Sequence, residues 1–126
     1  VSSAYPMKII PERYCVDIVQ PEQRHGDLIK INGNGMGFVL IHRQVFLDIA
    51  KQYPGLKYIP SDYHSDTPHT EAEMNNSYHY FAEMNKEGKY LGEDMSFFHR
   101  VTDIGYDVWM DTTIELQHIG SHVFGN

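Results

Sequence analysis

A chain of 126 residues lies within the size range of one domain, and its content of 41% hydrophobic and 13% aromatic residues predicts a folded core. The net charge of -7 and the lack of a basic run argue against nucleic acid as a partner. Cys15 is the only cysteine, which excludes an internal disulfide and a zinc site built from several cysteines.

The first third of the chain predicts a short strand and a glycine-rich loop. Residues 1–21 contain three prolines and predict an extended opening segment with at most a short strand. Residues 28–31 predict another short strand. Residues 32–37 follow as a loop whose glycines and asparagines tolerate positive φ and allow close approach of the backbone to a ligand.

The middle of the chain predicts one strand, one helix and one long loop. The apolar run at 38–41 predicts a buried strand, and residues 43–53 carry apolar side chains at helical spacing. The Pro-Gly pair at 54–55 ends this helix. Residues 61–76 are polar and predict a long loop.

The last third of the chain alternates between strands and one strong helix. Residues 77–83 are rich in aromatics and predict a strand, with a turn at 85–89. A helix is predicted from Met95 to Gly105, followed by strands at 106–110 and 113–117. The mixed order of helices and strands predicts an α/β fold that forms a single domain or half-domain over residues 1–126.

The glycine-rich loop differs from a dinucleotide-binding fingerprint. Gly33, Gly35 and Gly37 have the order G-x-G-x-G, and the sequence after them predicts a strand instead of a helix. Two interpretations stay open. The glycines make a tight turn, or they let a substrate approach the backbone closely.

Glu93 and Asp94 form an acidic pair at the predicted start of the last helix. The Asp94 carboxylate can cap that helix and complement its dipole. A carboxylate on a rigid helix start can also act as a general base toward a hydroxyl. The two roles are compatible.

His118 follows the last predicted strand. A lone histidine is more often a hydrogen-bonded structural residue than a ligand. His118 and His122 have the spacing H-x-x-x-H, but they lack the internal glutamate and the helix of a zinc protease. We therefore expect no protease site here.

The predicted loop at 61–76 carries a second group of polar side chains. Imidazole and carboxylate groups can bind a transition metal, and we keep a metal-dependent hydrolase as a weaker hypothesis. A solvated loop is the preferred interpretation. The residues concerned are His64, Asp66, His69 and Glu71.

Several segments, taken in order, resemble the carboxy-terminal half of the family 2-like glycosyltransferases with the GT-A fold. Residues 35–43 are similar to the family's glycine-aromatic strand leading to an arginine and a helix, and residues 91–100 are similar to its Glu-Asp helix. Residues 105–111 and 114–120 are similar to its strands that end in a histidine, and residues 4–8 to the segment after its first half. The resemblance implies a partial GT-A-like mixed sheet with flanking helices.

The resemblance also implies roles for the acidic pair and the histidine. Asp94 would be the base that removes a proton from the acceptor hydroxyl during inverting transfer, and Glu93 would position the acceptor or the base. His118 would correspond to a histidine that joins the metal holding the donor diphosphate, which implies Mn²⁺ or Mg²⁺.

Further roles follow from the same resemblance. The turn formed by Gly35, Met36 and Gly37 would lie near the donor sugar. Trp109 would offer a sugar-stacking face or support the sheet, and support is the preferred role. The partners would be a nucleotide-sugar donor and a carbohydrate or other hydroxyl acceptor.

The chain departs from the family in lacking the amino-terminal nucleotide-binding units and any Asp-x-Asp motif. We therefore expect the acceptor-side half of a glycosyltransferase, inactive alone. The alternative is a non-catalytic α/β binding or interaction module that oligomerises through unpaired strands.

The single cysteine favours a cytoplasmic or other reducing compartment. No apolar run reaches about 18 residues, so no membrane segment is expected in this chain. The chain begins with Val1 instead of methionine, and we expect it to start inside a longer reading frame or to follow processing.

Overall fold

The computed structural model describes residues 1–11, 13–61, 67–121 and 123–125, and their fold is mixed α/β. The helices are α1 (Arg43–Gln52), α2 (Glu71–Asn76) and α3 (Glu93–Asp103), with a 3₁₀ turn at Pro54–Leu56. The strands are β1 (Val16–Ile18), β2 (Arg24–His25), β3 (Leu28–Asn34), β4 (Met84–Lys86), β5 (Lys89–Leu91), β6 (Val108–Asp111), β7 (His118–Ile119) and β8 (Val123–Phe124).

The main sheet is built around β3, which pairs antiparallel with β1, β2 and β6. Ile31 lies opposite Val108, which fixes the register of β3 and β6. The first residues of the chain continue the sheet beyond β6, because the backbone N–H of Ser2 donates to the Trp109 carbonyl at 2.9 Å. Two separate hairpins, β4–β5 and β7–β8, complete the strands.

Helix α3 covers one face of the main sheet, where β3 carries a glycine. A Cβ atom placed on Gly33 would lie 3.0 Å from Met95 Sδ and from Phe98 Cβ. The absence of a side chain at Gly33 therefore lets the start of α3 lie close to the end of β3. This contact brings the first turn of α3 next to the loop that follows β3.

The hydrophobic core lies between the sheet, α1 and α3. Ile49 and Phe97 are fully buried, with 0% of their surface exposed. Phe81 stacks on Phe97 with ring centroids 4.7 Å apart, and Phe46 packs against both Phe97 and Tyr80. The aromatic residues of the segment before β4 therefore close the core beside α3.

Four predicted elements are confirmed with shifted bounds. The strand predicted at 28–31 is β3, which extends further, through Asn34 into the predicted glycine loop. The helices predicted at 43–53 and from Met95 are α1 and α3, and Gly105 follows α3 with a φ of 96°. The strand predicted at 106–110 is β6.

The buried strand predicted at 38–41 is wrong. Only Val39 forms a bridge, to Ser2, and Phe38 and Leu40 are 48% and 76% exposed. The strand predicted at 77–83 is also wrong, since it contains one bridge at Tyr78 and a turn at 80–81. Its aromatic side chains serve packing against α1 and α3 instead of strand pairing.

Two other predictions need correction. The loop predicted at 61–76 contains α2, whose start has a capping box: Glu73 N–H donates to Thr70 Oγ1, and Thr70 N–H donates to Glu73 Oε2. The strand predicted at 113–117 is irregular chain that leads to β7. Within the described ranges, no helix is long and apolar enough to cross a membrane.

Candidate functional site

The candidate site forms where β3 ends, against the opening segment of the chain. The side chain of Asn34 is 1% exposed, and its amide Nδ2 donates to the Ser3 carbonyl at 3.0 Å. The Ser3 backbone N–H in turn donates to the Phe38 carbonyl at 3.2 Å. These bonds hold residues 2–5 across the glycine turn.

Tyr5 lies directly on the glycine turn. A Cβ atom on Gly35 would lie 2.2 Å from Tyr5 Oη, and a Cβ atom on Gly37 would lie 2.6 Å from Tyr5 Cε1. Both positions therefore exclude any side chain while Tyr5 is in place. Neither glycine has positive φ, so the close approach of the Tyr5 ring explains these glycines better than turn geometry does.

Asp94 reaches the same turn from the start of α3. Its Oδ2 accepts a hydrogen bond from the backbone N–H of Met36 at 3.3 Å. Asp94 is the second residue of α3, and the N-cap is Gly92, which has no side chain to cap the helix. The capping interpretation of Asp94 is therefore wrong, although its charge still complements the helix dipole.

The surroundings of Tyr5 keep its phenol protonated at neutral pH. Burial raises the pKa of Tyr5, and electrostatic interactions with Cys15 and Asp94 raise it further. The hydrogen bond with the backbone N–H of Gly37 opposes this rise in pKa. Tyr5 thus offers a neutral hydroxyl within the electrostatic reach of the Asp94 carboxylate.

His118 completes the cluster by packing against the Tyr5 ring. The two rings meet edge to face, with centroids 5.7 Å apart and an angle of 89° between their planes. His118 Nδ1 lies 3.1 Å from the Pro6 carbonyl oxygen, which can only accept, so Nδ1 carries the proton. A neutral His118 then has its lone pair on Nε2, as in metal-binding histidines whose other ring N–H donates to a carbonyl or a carboxylate.

A cavity of about 290 Å³ opens beside these residues. Tyr5, Gly37 and His118 line it, together with Phe38, Leu116 and Gln117. The structure thus brings His118, the glycine turn and Asp94 around one tyrosine, although they are far apart in the sequence.

Glu93 and Trp109 lie outside this cluster. Glu93 is exposed at the start of α3. A hydrogen bond with Glu83, burial and the charge of Glu83 raise the pKa of Tyr90, and the charge of Glu93 adds to this rise. Trp109 lies opposite Lys30 in the sheet, and its flanking residues are the ones buried against the core. The two roles expected for Trp109, support of the sheet and sugar stacking, stay predictions.

The metal ligands expected from the sequence are described only in part. No group of three or more His, Cys, Asp or Glu side chains suited to a metal ion occurs in the part of the chain that the structure describes. His69 Nδ1 lies 3.9 Å from the Glu73 carboxylate, within the capped start of α2. His64, Asp66 and His122 lie outside the described residues.

Tyr5 is the member of the cluster that sequence reasoning missed. The signal for it was the alternation of Gly35 and Gly37, which removes two side chains from one side of the turn. That alternation predicts close approach of a group but does not say which one. The partner is 30 or more positions away and becomes visible only in three dimensions.

Comparison of the chain with protein-family models, with curated proteins and with solved structures finds no match.

Proposed function

We propose that this chain is the acceptor-side half of a GT-A-like glycosyltransferase, which transfers a sugar from a nucleotide-sugar donor to a hydroxyl acceptor. The observation that carries the proposal is the hydrogen bond from Met36 N–H to the Asp94 carboxylate. It joins two of the segments on which the resemblance depends, residues 35–43 and residues 91–100. The cavity at Tyr5 and His118, which Gly37 also lines, supplies a place for a substrate beside the glycine turn.

In this proposal Asp94 is the general base. The acceptor oxygen attacks the anomeric carbon of the donor sugar and forms a new C–O bond, while the bond to the nucleoside diphosphate breaks. The Asp94 carboxylate takes the proton that the acceptor hydroxyl loses. The bond from Met36 holds that carboxylate in one orientation, which is what a positioned base requires.

The donor side of the proposal depends on groups beyond this cluster. His118 Nε2 would give one ligand to Mn²⁺ or Mg²⁺, and the remaining ligands would come from the donor diphosphate and from other parts of the protein. The ion would neutralise charge on the leaving diphosphate. Glu93 would position the acceptor or the base, and Trp109 would support the sheet. The lone Cys15 fits a reducing compartment such as the cytoplasm.

The proposal is tested with protein translated from the whole open reading frame that encodes this chain. Release of nucleoside diphosphate is measured with a panel of nucleotide sugars, a mixed glycan acceptor and Mn²⁺. Asp94→Asn is expected to lower the acceptor-dependent rate about 100-fold or more. Asp107→Asn, which removes a surface ion pair with Lys30, is the matched control and is expected to keep the rate. Wild-type rates from Asp94→Asn would remove Asp94 from the role of base.

A second candidate function is a non-catalytic module that associates with itself. The apolar side chains of Val1, Phe38 and Leu40 are 50%, 48% and 76% exposed beside the backbone pairing of residues 1–3 with residues 38–40. Light scattering separates the two candidates in part. A stable dimer that Leu40→Glu dissociates, with no transfer activity, would favour the module.

A further inference from the structure

A second cavity, of about 380 Å³, opens beside residues 3–4 of the opening segment. Its lining includes an aromatic ring, apolar side chains and two carboxylates, from Tyr14, Val16, Met110, Leu116, Asp111 and Glu115. Its volume is within the range of about 300 to 1,000 Å³ that ligand sites usually have. None of the roles proposed above uses this cavity.

The two cavities adjoin one another. Leu116 lines both, while the neighbouring residues Ala4 and Tyr5 line the second and the first cavity respectively. A ligand longer than one sugar unit that enters at His118 can therefore continue past Leu116 into the second cavity.

Tyr14 is held in place at the second cavity. Its backbone pairs with Pro6, the residue whose carbonyl also accepts the His118 bond, and Met7 N–H donates to the Arg13 carbonyl at 2.7 Å. The Tyr14 side chain is nevertheless 45% exposed. An accessible aromatic ring on a backbone that is held in place gives the C–H faces of a sugar a surface to pack on.

The charges at this cavity select against anions. Hydrogen bonds from the Thr113 hydroxyl and backbone N–H lower the pKa of Asp111, so this carboxylate is ionised at neutral pH. Glu115 adds an exposed carboxylate, and the chain as a whole has a net charge of -7. Carboxylates accept hydrogen bonds from hydroxyl groups, whereas they repel phosphate and uronate groups.

We propose that the second cavity binds the non-reacting sugar units of a neutral oligosaccharide acceptor. The ring of Tyr14 packs on a sugar face, and Asp111 and Glu115 accept bonds from its hydroxyl groups. This inference rests on the proposed function, because it takes the group transferred at the adjoining cavity to be a sugar. The inference predicts that the acceptor is an oligosaccharide and not a single small alcohol.

The test measures binding to the chain itself by amide NMR titration, so it does not require transfer activity. The probes are maltotriose, cellotriose, mannotriose and chitotriose, the corresponding monosaccharides, trigalacturonate as an anion and trilysine as a cation. At least one neutral trisaccharide is expected to bind saturably and to shift amides that line both cavities. Its monosaccharide is expected to bind at least about tenfold more weakly.

Variants then locate the site. Tyr14→Ala is expected to weaken the trisaccharide Kd at least about tenfold, whereas Tyr14→Phe keeps the ring and binds within about twofold. Tyr58→Ala, at a tyrosine 49% exposed elsewhere, is the control and binds as wild type. The amide spectrum of each variant shows whether it is folded.

Three results would overturn the inference: no saturable binding by any neutral trisaccharide, binding that Tyr14→Ala leaves unchanged, or tighter binding of trilysine or trigalacturonate. Failure of the proposed function has a different signature. In that case the trisaccharide binds as described, while the full-length protein releases no nucleoside diphosphate with any acceptor.

Discussion

The backbone N–H of Met36 donates to the carboxylate of Asp94, which lies 58 positions later in the chain. This bond joins the turn after β3 to the first turn of α3. It gives Asp94 a structural partner as well as the proposed role as a base, and the two contributions can be separated by substitution.

Asp94→Asn and Asp94→Ala should differ in stability. The amide oxygen of asparagine still accepts the Met36 bond, so Asp94→Asn should lower the free energy of unfolding by less than about 1 kcal/mol. Alanine leaves the partly buried Met36 N–H without this partner and should cost about 1 to 3 kcal/mol. Urea denaturation measures both values. Equal losses would show that the Met36 bond contributes little to the fold.

Gly35→Ala should displace Tyr5, because the new Cβ would overlap the phenol oxygen. The expected loss of stability is about 1 to 3 kcal/mol by denaturation. The loss should be much smaller when Gly35→Ala is introduced into a Tyr5→Ala background, since the clash is then absent. Gly55→Ala, where a Cβ would meet nothing within 4 Å, is the control. An unchanged loss in the double variant would contradict the contact.

The contribution of α1 to stability should come from the side chains on its buried face. Ile49 has 0% of its surface exposed, and Ile49→Ala should lower the free energy of unfolding by about 2 to 5 kcal/mol. Leu47 lies on the same helix but is 42% exposed, and Leu47→Ala should change stability by about 0.5 kcal/mol or less. Comparable losses from the two variants would mean that α1 packs with a different face.

Tyr53 should make stability depend on pH in the alkaline range. Burial, and then its hydrogen bond to Asp103, raise the pKa of Tyr53 from 10.0 to about 12. The folded state thus favours the neutral phenol, so this contribution is complete below pH 10.0 and is lost as the pH rises through about 12.

The stability difference between wild type and Tyr53→Phe should therefore shrink over that interval, as measured by denaturation at a series of pH values. In Tyr53→Phe, the phenolate absorbance of the folded protein should show one tyrosine fewer that titrates near pH 12. Tyr58→Phe, which leaves Tyr53 and its bond to Asp103 in place, should keep the loss of stability between pH 10.0 and about 12. A difference that stays constant up to the highest pH would contradict the raised pKa of Tyr53.

The helices α1 and α3 were predictable because their signals are local. Apolar spacing, Pro54 after α1 and the positive φ available to Gly105 all act within a few residues. The start of α2 could also have been predicted, since Thr70 and Glu73 have the spacing of a capping box. The polar composition around them favoured a loop instead, so the helix was not predicted.

The wrong strand predictions have a different cause. Residues 38–41 and 77–83 have the composition of strands, but composition does not reveal whether a pairing partner is present. Phe81 is used to stack on Phe97, and Leu40 faces outward beside Val1. Both outcomes depend on contacts between distant parts of the chain.

The site was predictable only as separate residues. Asp94, His118 and the glycine turn were each recognised, whereas their meeting at Tyr5 depends on how the opening segment lies across β3. The placement of Glu93 and Trp109 outside the cluster was not predictable either, because neighbours in sequence can face different directions on a helix or strand.

The most direct test of the central proposal is the mass of the acceptor after incubation with nucleotide sugar, Mn²⁺ and protein translated from the whole reading frame. We expect the acceptor to gain the mass of one sugar residue with wild type and with Asp107→Asn, and to gain essentially none with folded Asp94→Asn. An acceptor that gains the same mass with Asp94→Asn, or that gains none with wild type across the panel of nucleotide sugars, would contradict the account.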